Sequence, residues 1–190
     1  MALFLVGLVL FLGIHSVAIV APAWRDAQVA RNERAWKGVY SVISIAGFAL
    51  LIYGYGVARQ SPVVLWTPPA GMRHLALLLM LPAFPLLLAA YLPGRIQRAT
   101  KHPMLLAVTF WAAAHLLANG TLVDGILFGA FLVWAVLDYI AVQRRAQPRA
   151  IPGAPPSGLN DAIALVGGLA IYAAFLAGVH RWLVGVAPLG

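Results

Sequence analysis

The chain has 190 residues, of which 63% are hydrophobic and only 9% are charged. Since about 25% of residues are charged in ordinary soluble domains, this composition excludes a soluble domain and indicates an integral membrane protein. The net charge of +8 does not indicate nucleic-acid binding, because the basic residues occupy short loops between apolar segments. The sequence has no cysteine, which excludes disulfides, thiolate metal sites and haem attachment through a C-x-x-C-H motif.

Six apolar segments follow one another along the chain, each close to the roughly 20 residues that a helix needs to cross a bilayer. They cover residues 2–21, 38–58, 72–92, 103–119, 121–142 and 160–184. The sequence therefore predicts an all-α fold. We expect residues 1–190 to form a single integral membrane domain, a polytopic helix bundle with about six transmembrane helices in the lipid bilayer.

The charge of the connecting loops alternates along the chain. Loops one, three and five contain ten of the 13 Lys and Arg residues: Arg25, Arg31, Arg34, Lys37, Arg95, Arg98, Lys101, Arg144, Arg145 and Arg149. The remaining three are Arg59, Arg73 and Arg181. The positive-inside rule places the three basic loops in the cytoplasm and predicts that both termini are outside.

Prolines mark the middle of the third segment and the start of the fourth. Pro82 and Pro85 lie midway along the third and predict a kink, because each removes a backbone hydrogen bond. Such a break persists in lipid only where neighbouring groups or water satisfy the released carbonyls. Pro103 suits the first turn of the fourth helix, where its missing N–H has no helical partner.

The turn between the fourth and fifth segments carries stop and start signals. Asn119-Gly120 is typical of left-handed residues that end a helix. Thr121 and Asp124 have the spacing of a capping box, with Asp in place of the usual Glu. We expect a tight hairpin between the two helices.

Two of the five histidines lie deep in predicted hydrocarbon. At about 1.5 Å per residue, His15 lies roughly 20 Å below the outer face of a core about 30 Å thick, and His115 lies roughly 18 Å above the cytoplasmic face. His74, His102 and His180 are expected at the membrane interfaces instead. Trp111, His115 and Asn119 share one helix face, because they are spaced by four residues.

A histidine in hydrocarbon is costly unless its ring nitrogens are satisfied. Two such imidazoles on separate helices suggest a shared metal centre, since neutral histidine is the commonest metal ligand and haem iron accepts imidazole on either side. The alternative is an interhelical hydrogen bond for each ring. Hydrolase and kinase chemistry has no support, because Glu33 is the only glutamate and the chain has no phosphate-binding glycine loop.

A series of motifs in chain order resembles the NnrU family: FLGIHS, RDA with NERAW, KHPML, WAAAHLLANG and HRWLVGVAP. The resemblance covers essentially the whole chain. It implies a bacterial inner (cytoplasmic) membrane protein associated with denitrification and nitric oxide handling. A nitric oxide or nitrite reductase system would be the possible partner.

The same motifs are similar to those of the plastid 15-cis-zeta-carotene isomerase, a membrane enzyme that binds haem b through two histidines. That similarity implies His15 and His115 as the metal ligands, and it raises haem b as the expected cofactor. Trp111 and Asn119 would lie beside the cofactor, and cytoplasmic basic residues could neutralise its propionates: Arg25, Arg34 and Lys101. The chain departs from the isomerase in its sixth span and in having Lys101 where the isomerase has Arg, and no carotenoid substrate follows.

The resemblance leaves three functions open, and whether the protein is an enzyme is not decided. The first is a haem b protein that supports nitric oxide or nitrite metabolism. The others are a non-catalytic membrane assembly factor and a haem-dependent isomerase or redox enzyme that acts on an isoprenoid. His102-Pro103 also resembles the entry of a cofactor-binding helix in membrane methyltransferases, but the glutamate pair of those enzymes does not follow, which disfavours methyl transfer.

Overall fold

A computed structural model of the chain describes residues 1–144 and 153–189. Its elements are α1 (Ala2–Val20), α2 (Pro22–Arg31), α3 (Glu33–Ala58), α4 (Ala70–Met80), α5 (Ala83–Ala89), α6 (Arg95–Thr100), α7 (Pro103–Ala118), α8 (Leu122–Gln143), α9 (Asn160–Ala174), a π-helical turn (Phe175–Val179) and α10 (His180–Val184). Of the basic residues assigned to loop five, Arg145 and Arg149 lie outside the described residues.

The predicted all-α membrane helix bundle is confirmed. Within the described ranges, five helical segments are long and apolar enough to cross a membrane: Ala2–Val20, Glu33–Ala58, Ala70–Ala89, Leu122–Gln143 and Asn160–Val184. Helix α7 is apolar but has only 16 residues, a length of about 24 Å.

Helices α1 and α3 run antiparallel in close contact. A side chain at Gly54 would collide with the backbone of Phe4, and one at Gly7 would collide with the backbone of Leu51. Small residues permit this approach, which is how membrane helices gain van der Waals contact without a hydrophobic driving force. Phe4 is fully buried as a result and anchors the apolar core shared with α8.

The predicted kink in the third segment is confirmed, since α4 ends at Met80 and α5 begins after Pro82. The hydroxyl of Tyr172 donates a hydrogen bond of 2.8 Å to the carbonyl of Leu77. That carbonyl is released at the break, where the Leu81 amide bonds to Leu78 instead. Helix α9 therefore satisfies one of the polar groups that the kink leaves in the apolar layer.

The interpretation of Asn119-Gly120 as left-handed residues is wrong. Asn119 is extended, with φ −122° and ψ 145°, and Gly120 is not among the residues with positive φ. The glycine instead permits a close backbone crossing, because a Cβ on it would collide with the carbonyl of Trp66. The amides of Leu65 and Trp66 both donate to the Gly120 carbonyl, at 2.8 and 3.2 Å.

The opposite end of the bundle is joined by polar residues at the start of α9. The carboxylate of Asp161 accepts hydrogen bonds from the amides of Arg95 and Ile96, at 2.8 and 2.9 Å. The side-chain amide of Asn160 donates to the carbonyl of Pro93 at 2.8 Å. These bonds tie the last long segment to the loop after α5.

The chain after α1 is more helical than the apolar pattern predicts. Helix α2 lies in the first basic loop, and α3 begins at Glu33, five residues before the predicted apolar span at 38. Asn32 explains that start, because its side-chain oxygen accepts a hydrogen bond of 3.0 Å from the amide of Ala35. Lys37 forms an ion pair with Glu33 one turn into the helix, at 2.7 Å.

Candidate functional site

The start of α8 is held in place by one buried carboxylate. Thr121 caps the helix, and its hydroxyl donates to Asp124 at 2.6 Å and accepts from the Asp124 amide at 3.3 Å. The N-cap half of the predicted capping box is therefore confirmed, and the Asp124 carboxylate bonds the Thr121 hydroxyl. The second carboxylate oxygen of Asp124 accepts a hydrogen bond of 2.5 Å from the hydroxyl of Tyr55 on α3. This network fixes the end of the bundle in which the His115 imidazole lies.

The imidazole of His115 is oriented by its own helix and by two aromatic rings. Its Nδ1 lies 2.8 Å from the carbonyl oxygen of Trp111. Because a carbonyl oxygen only accepts hydrogen bonds, Nδ1 carries the proton and Nε2 carries the lone pair of the neutral ring. The ring of Phe128 stacks on His115 with centroids 4.6 Å apart and planes at 28°. The Trp111 ring lies 5.3 Å away.

A second histidine meets His115 from the last helix. The ring centroids of His115 and His180 are 6.3 Å apart, and their planes make an angle of 27°. The Nδ1 of His180 lies 2.6 Å from the carbonyl oxygen of Val186, so this nitrogen also carries a proton. In the neutral form of either ring, Nε2 is therefore the nitrogen with the lone pair.

His15 lies in a different environment, surrounded by aromatic rings. Its Nδ1 is 2.6 Å from the carbonyl oxygen of Phe11. The ring centroids of Phe11, Tyr40 and Trp134 lie 4.4, 5.1 and 5.9 Å from that of His15. These rings come from α1, α3 and α8, so His15 is packed where three helices meet.

The structure does not bring His15 and His115 together. His115 stacks on Phe128 and His15 contacts Trp134, six residues further along α8, which is about 9 Å of helix. Helix α1 packs on α3 and α8, whereas α7 packs on α8, α4 and α5. The assignment of both histidines to one metal thus stays a prediction without a contact between the two rings to support it.

Trp111 and Asn119 lie beside His115, as their shared helix face predicts. The Trp111 ring packs edge-on against Phe128 with centroids 5.0 Å apart. The side-chain amide of Asn119 donates to the backbone carbonyl of His115 at 2.8 Å. Asn119 therefore caps the helix end, while the partner of the imidazole nitrogen is the carbonyl of Trp111.

The three basic residues expected near the propionates lie away from His115. Arg25 forms an ion pair with Asp26 at 2.6 Å in α2, and Arg34 is exposed in the first turn of α3. Lys101 is exposed and precedes α7, so about 18 Å of helix separates it from His115. The structure groups none of them with this imidazole.

The number of protein ligands that a metal needs decides what the two imidazoles could hold. Within residues 1–144 and 153–189, no group of three or more His, Cys, Asp or Glu side chains could hold a metal ion. A zinc site needs at least three protein ligands. A haem iron already has four pyrrole nitrogens and needs the protein only for its axial positions, which one or two imidazoles can supply.

The contact between His180 and His115 was not predicted from the sequence, which placed His180 at the outer membrane interface. The positions of these two histidines within the predicted spans could have indicated that they lie close together. His115 lies four residues before the end of the span 103–119, and His180 lies four residues before the end of the span 160–184. Both spans end on the same predicted side of the membrane, so the two histidines have equal depth.

An apolar groove between α1 and α8 lies beside the other histidine. Its volume is about 430 Å³. Side chains of both helices line it, among them Leu12, Ser16, Gly129 and Trp134. Since Trp134 also contacts His15, the groove places an apolar surface next to that imidazole.

The fold and this arrangement of imidazoles define an all-α membrane protein with several bilayer-spanning helices and histidines within the apolar bundle. The chain belongs to the NnrU family, whose sequence profile, described as NnrU protein, matches residues 3–188. No curated protein and no solved structure matched the chain. The similarity to the carotene isomerase therefore rests on the motifs alone.

Proposed function

We propose that this NnrU-family protein binds haem b within the bacterial cytoplasmic membrane, with His115 as an axial ligand, and supports nitric oxide or nitrite metabolism. The observation that carries the proposal is the orientation of His115. Its Nδ1 is bonded to a backbone carbonyl, as is usual for metal-binding histidines, whose second nitrogen donates to an oriented partner. The Nε2 lone pair is then the ligating group.

The residues around His115 suit a haem ligand. Phe128 stacks on the imidazole and Trp111 packs against both rings, which restricts rotation of the ligand. These apolar surfaces also exclude water from the side of the ring that faces the core. Bound haem iron would supply a centre that carries an electron or binds a gas such as nitric oxide.

The proposed role in denitrification is supported by the resemblance to the NnrU family, and its proposed partner is a nitric oxide or nitrite reductase system. Haem b in the membrane is compatible with electron delivery to such a system or with sensing of its gaseous product. A non-catalytic assembly factor would need no iron at His115. The presence of haem and its dependence on that residue therefore separate the two functions.

A second candidate function is supported by the groove between α1 and α8. Its apolar walls and its position beside Trp134 are suited to a long hydrocarbon chain. A haem-dependent isomerase or redox enzyme acting on an isoprenoid would use such a surface. The two candidate functions can be distinguished, because only the isoprenoid enzyme requires a lipid substrate in the groove.

The proposal is tested by spectroscopy of the full chain purified in detergent from cells supplied with haem precursor. We expect a Soret band and a reduced-minus-oxidised spectrum of b type in the unaltered protein. His115→Ala should reduce haem content, whereas His74→Ala, an exposed histidine at the start of α4, should leave it unchanged. A purified protein without a Soret band would contradict the proposal.

The cellular role is tested in a denitrifying bacterium that lacks its own copy of the gene. Nitrite consumption and nitric oxide accumulation are measured after complementation with the unaltered chain, with His115→Ala or with His74→Ala. We expect the first and third to restore nitrite and nitric oxide turnover and His115→Ala to fail. Full restoration by His115→Ala would indicate the assembly factor instead.

A further inference from the structure

We infer that His180 is the second axial ligand, and that it binds the haem iron on the face opposite to His115. This inference rests on the proposed function and replaces His15 in the ligand pair that the motifs imply. It places the iron in the half of the bundle that contains the Gly120 turn and the C-terminal end of α3.

The separation of the two imidazoles matches that of two ligands on opposite sides of one metal. A metal–imidazole nitrogen bond is about 2.0 to 2.1 Å, and the ring centre lies about 1.1 Å behind the nitrogen. Two rings in trans positions therefore have centres about 6.2 to 6.4 Å apart. The centroids of His115 and His180 are 6.3 Å apart, which agrees with that separation.

The hydrogen bonds of the two rings are also matched. Each Nδ1 donates to a backbone carbonyl, of Trp111 for His115 and of Val186 for His180, at 2.8 and 2.6 Å. Each ring therefore presents Nε2 as its ligating nitrogen. Axial ligation of one iron by two neutral imidazoles requires this tautomer on both sides.

The segment that carries His180 lies at the surface of the bundle. The π-helical turn and α10 contain no buried residue, and Trp182 next to the histidine has an exposed fraction of 82%. At His15, by contrast, the rings of Tyr40 and Trp134 already occupy the space around the imidazole.

The backbone of the last segment positions His180 toward the bundle. The π-helical turn over Phe175–Val179 interrupts the helix, and Gly178 within it departs from helical geometry. Such turns in otherwise α-helical segments are frequent at functional sites. The guanidinium of Arg59 then donates to the carbonyl of Val184 at 3.0 Å, which ties α10 to the end of α3.

Basic residues for the propionates are present at this end of the bundle. Arg59 is partly exposed there, and Arg181 follows His180 directly. The residues expected from the sequence to serve the propionates lie at the other end of the bundle: Arg25 in α2, Arg34 in the first turn of α3, and Lys101 before α7. The iron and the basic residues that neutralise its propionates would thus lie at the end of the bundle whose loops contain few basic residues.

The test compares single variants of the full chain after reconstitution with haem: His180→Ala, His15→Ala and the control His74→Ala. We expect the unaltered protein and the His15 and His74 variants to be six-coordinate and low-spin by absorption and electron paramagnetic resonance. His180→Ala should become five-coordinate and high-spin, with haem affinity at least about tenfold weaker. Added imidazole should restore its low-spin spectrum, which a purely structural role for His180 does not predict.

A conservative variant keeps the test valid if His180→Ala folds poorly. His180→Met should remain six-coordinate and should have a higher reduction potential, because methionine ligation raises the potential of haem iron. A low-spin His180→Ala protein together with a high-spin His15→Ala protein would overturn the inference and leave the haem proposal intact. An unaltered protein that binds no haem would overturn both.

Discussion

Tyr55 donates a hydrogen bond of 2.5 Å to the carboxylate of Asp124, and this bond joins α3 to the first turn of α8. Thr121 donates to the other oxygen of the same carboxylate at 2.6 Å. Asp124 is buried, with an exposed fraction of 6%, so its two partners replace the water that a carboxylate otherwise requires. The hydrogen bonds of Asp124 therefore hold α3 and the start of α8 together next to the candidate site.

Replacement of Asp124 by alanine should destabilise the protein. Asp124→Ala removes the capping box and leaves the Tyr55 hydroxyl without its acceptor, and an unsatisfied buried polar group costs about 1 to 3 kcal/mol. We expect a loss of about 2 kcal/mol or more in the free energy of unfolding, measured by thermal unfolding in detergent. Asp26→Ala, which breaks only the exposed pair with Arg25, should change it by less than about 1 kcal/mol. Equal effects of the two variants would contradict the role of Asp124.

Close packing of α1 against α3 should be sensitive to one methyl group. Gly54→Ala places a Cβ against the backbone of Phe4, whereas Gly56→Ala on the same helix meets open space. We expect Gly54→Ala to lower the free energy of unfolding by about 1 to 3 kcal/mol. Gly56→Ala should be neutral or stabilising by up to about 1 kcal/mol, because alanine favours helices. A Gly54→Ala protein as stable as the unaltered chain would show that the helices do not approach this closely.

The crossing at Gly120 predicts a local effect. Gly120→Ala forces the turn between α7 and α8 away from Trp66 and weakens the hydrogen bonds of Leu65 and Trp66 to the Gly120 carbonyl. We expect faster proteolysis of the loop at residues 61–69 with little change in helix content by circular dichroism. Gly125→Ala, which meets no neighbouring atom, is the matched control. Unchanged proteolysis of Gly120→Ala would contradict the crossing.

Much of the fold was predictable from the sequence because its signals are local. The apolar runs, the break at Pro82 and the capping box at Thr121 each depend on residues within a few positions of one another. Gly120 was misinterpreted because two requirements favour the same residue: a left-handed helix end and a close backbone crossing. Only the position of the loop that contains Trp66, more than 50 residues earlier in the chain, distinguishes them.

The candidate site was only half predictable for a similar reason. The depth of His115 follows from its own helix, but its partner depends on which helices pack together and on the direction of the last one. The π-helical turn before His180 changes the direction of the last helix. The spacing of apolar residues along the sequence does not predict such a turn. The motifs paired His115 with His15, whereas in the structure the ring of His180 lies next to that of His115.

The orientation of the chain in the membrane remains a prediction from the loop charges. Ten basic residues in loops one, three and five, against three elsewhere, predict that the C-terminus is outside. A phosphatase fused after Gly190 should be active in intact cells, and one fused within the first basic loop should be inactive. The reverse pattern would mean that the orientation or the number of spans is wrong.

The central claim is that the protein binds haem through His115, and the most direct measurement is the ratio of haem to protein chain by the pyridine haemochrome assay. The account predicts about one haem b per chain for the unaltered protein and for His74→Ala, and a reduction of at least about tenfold for His115→Ala. The same haem content in His115→Ala as in the unaltered protein would contradict the account.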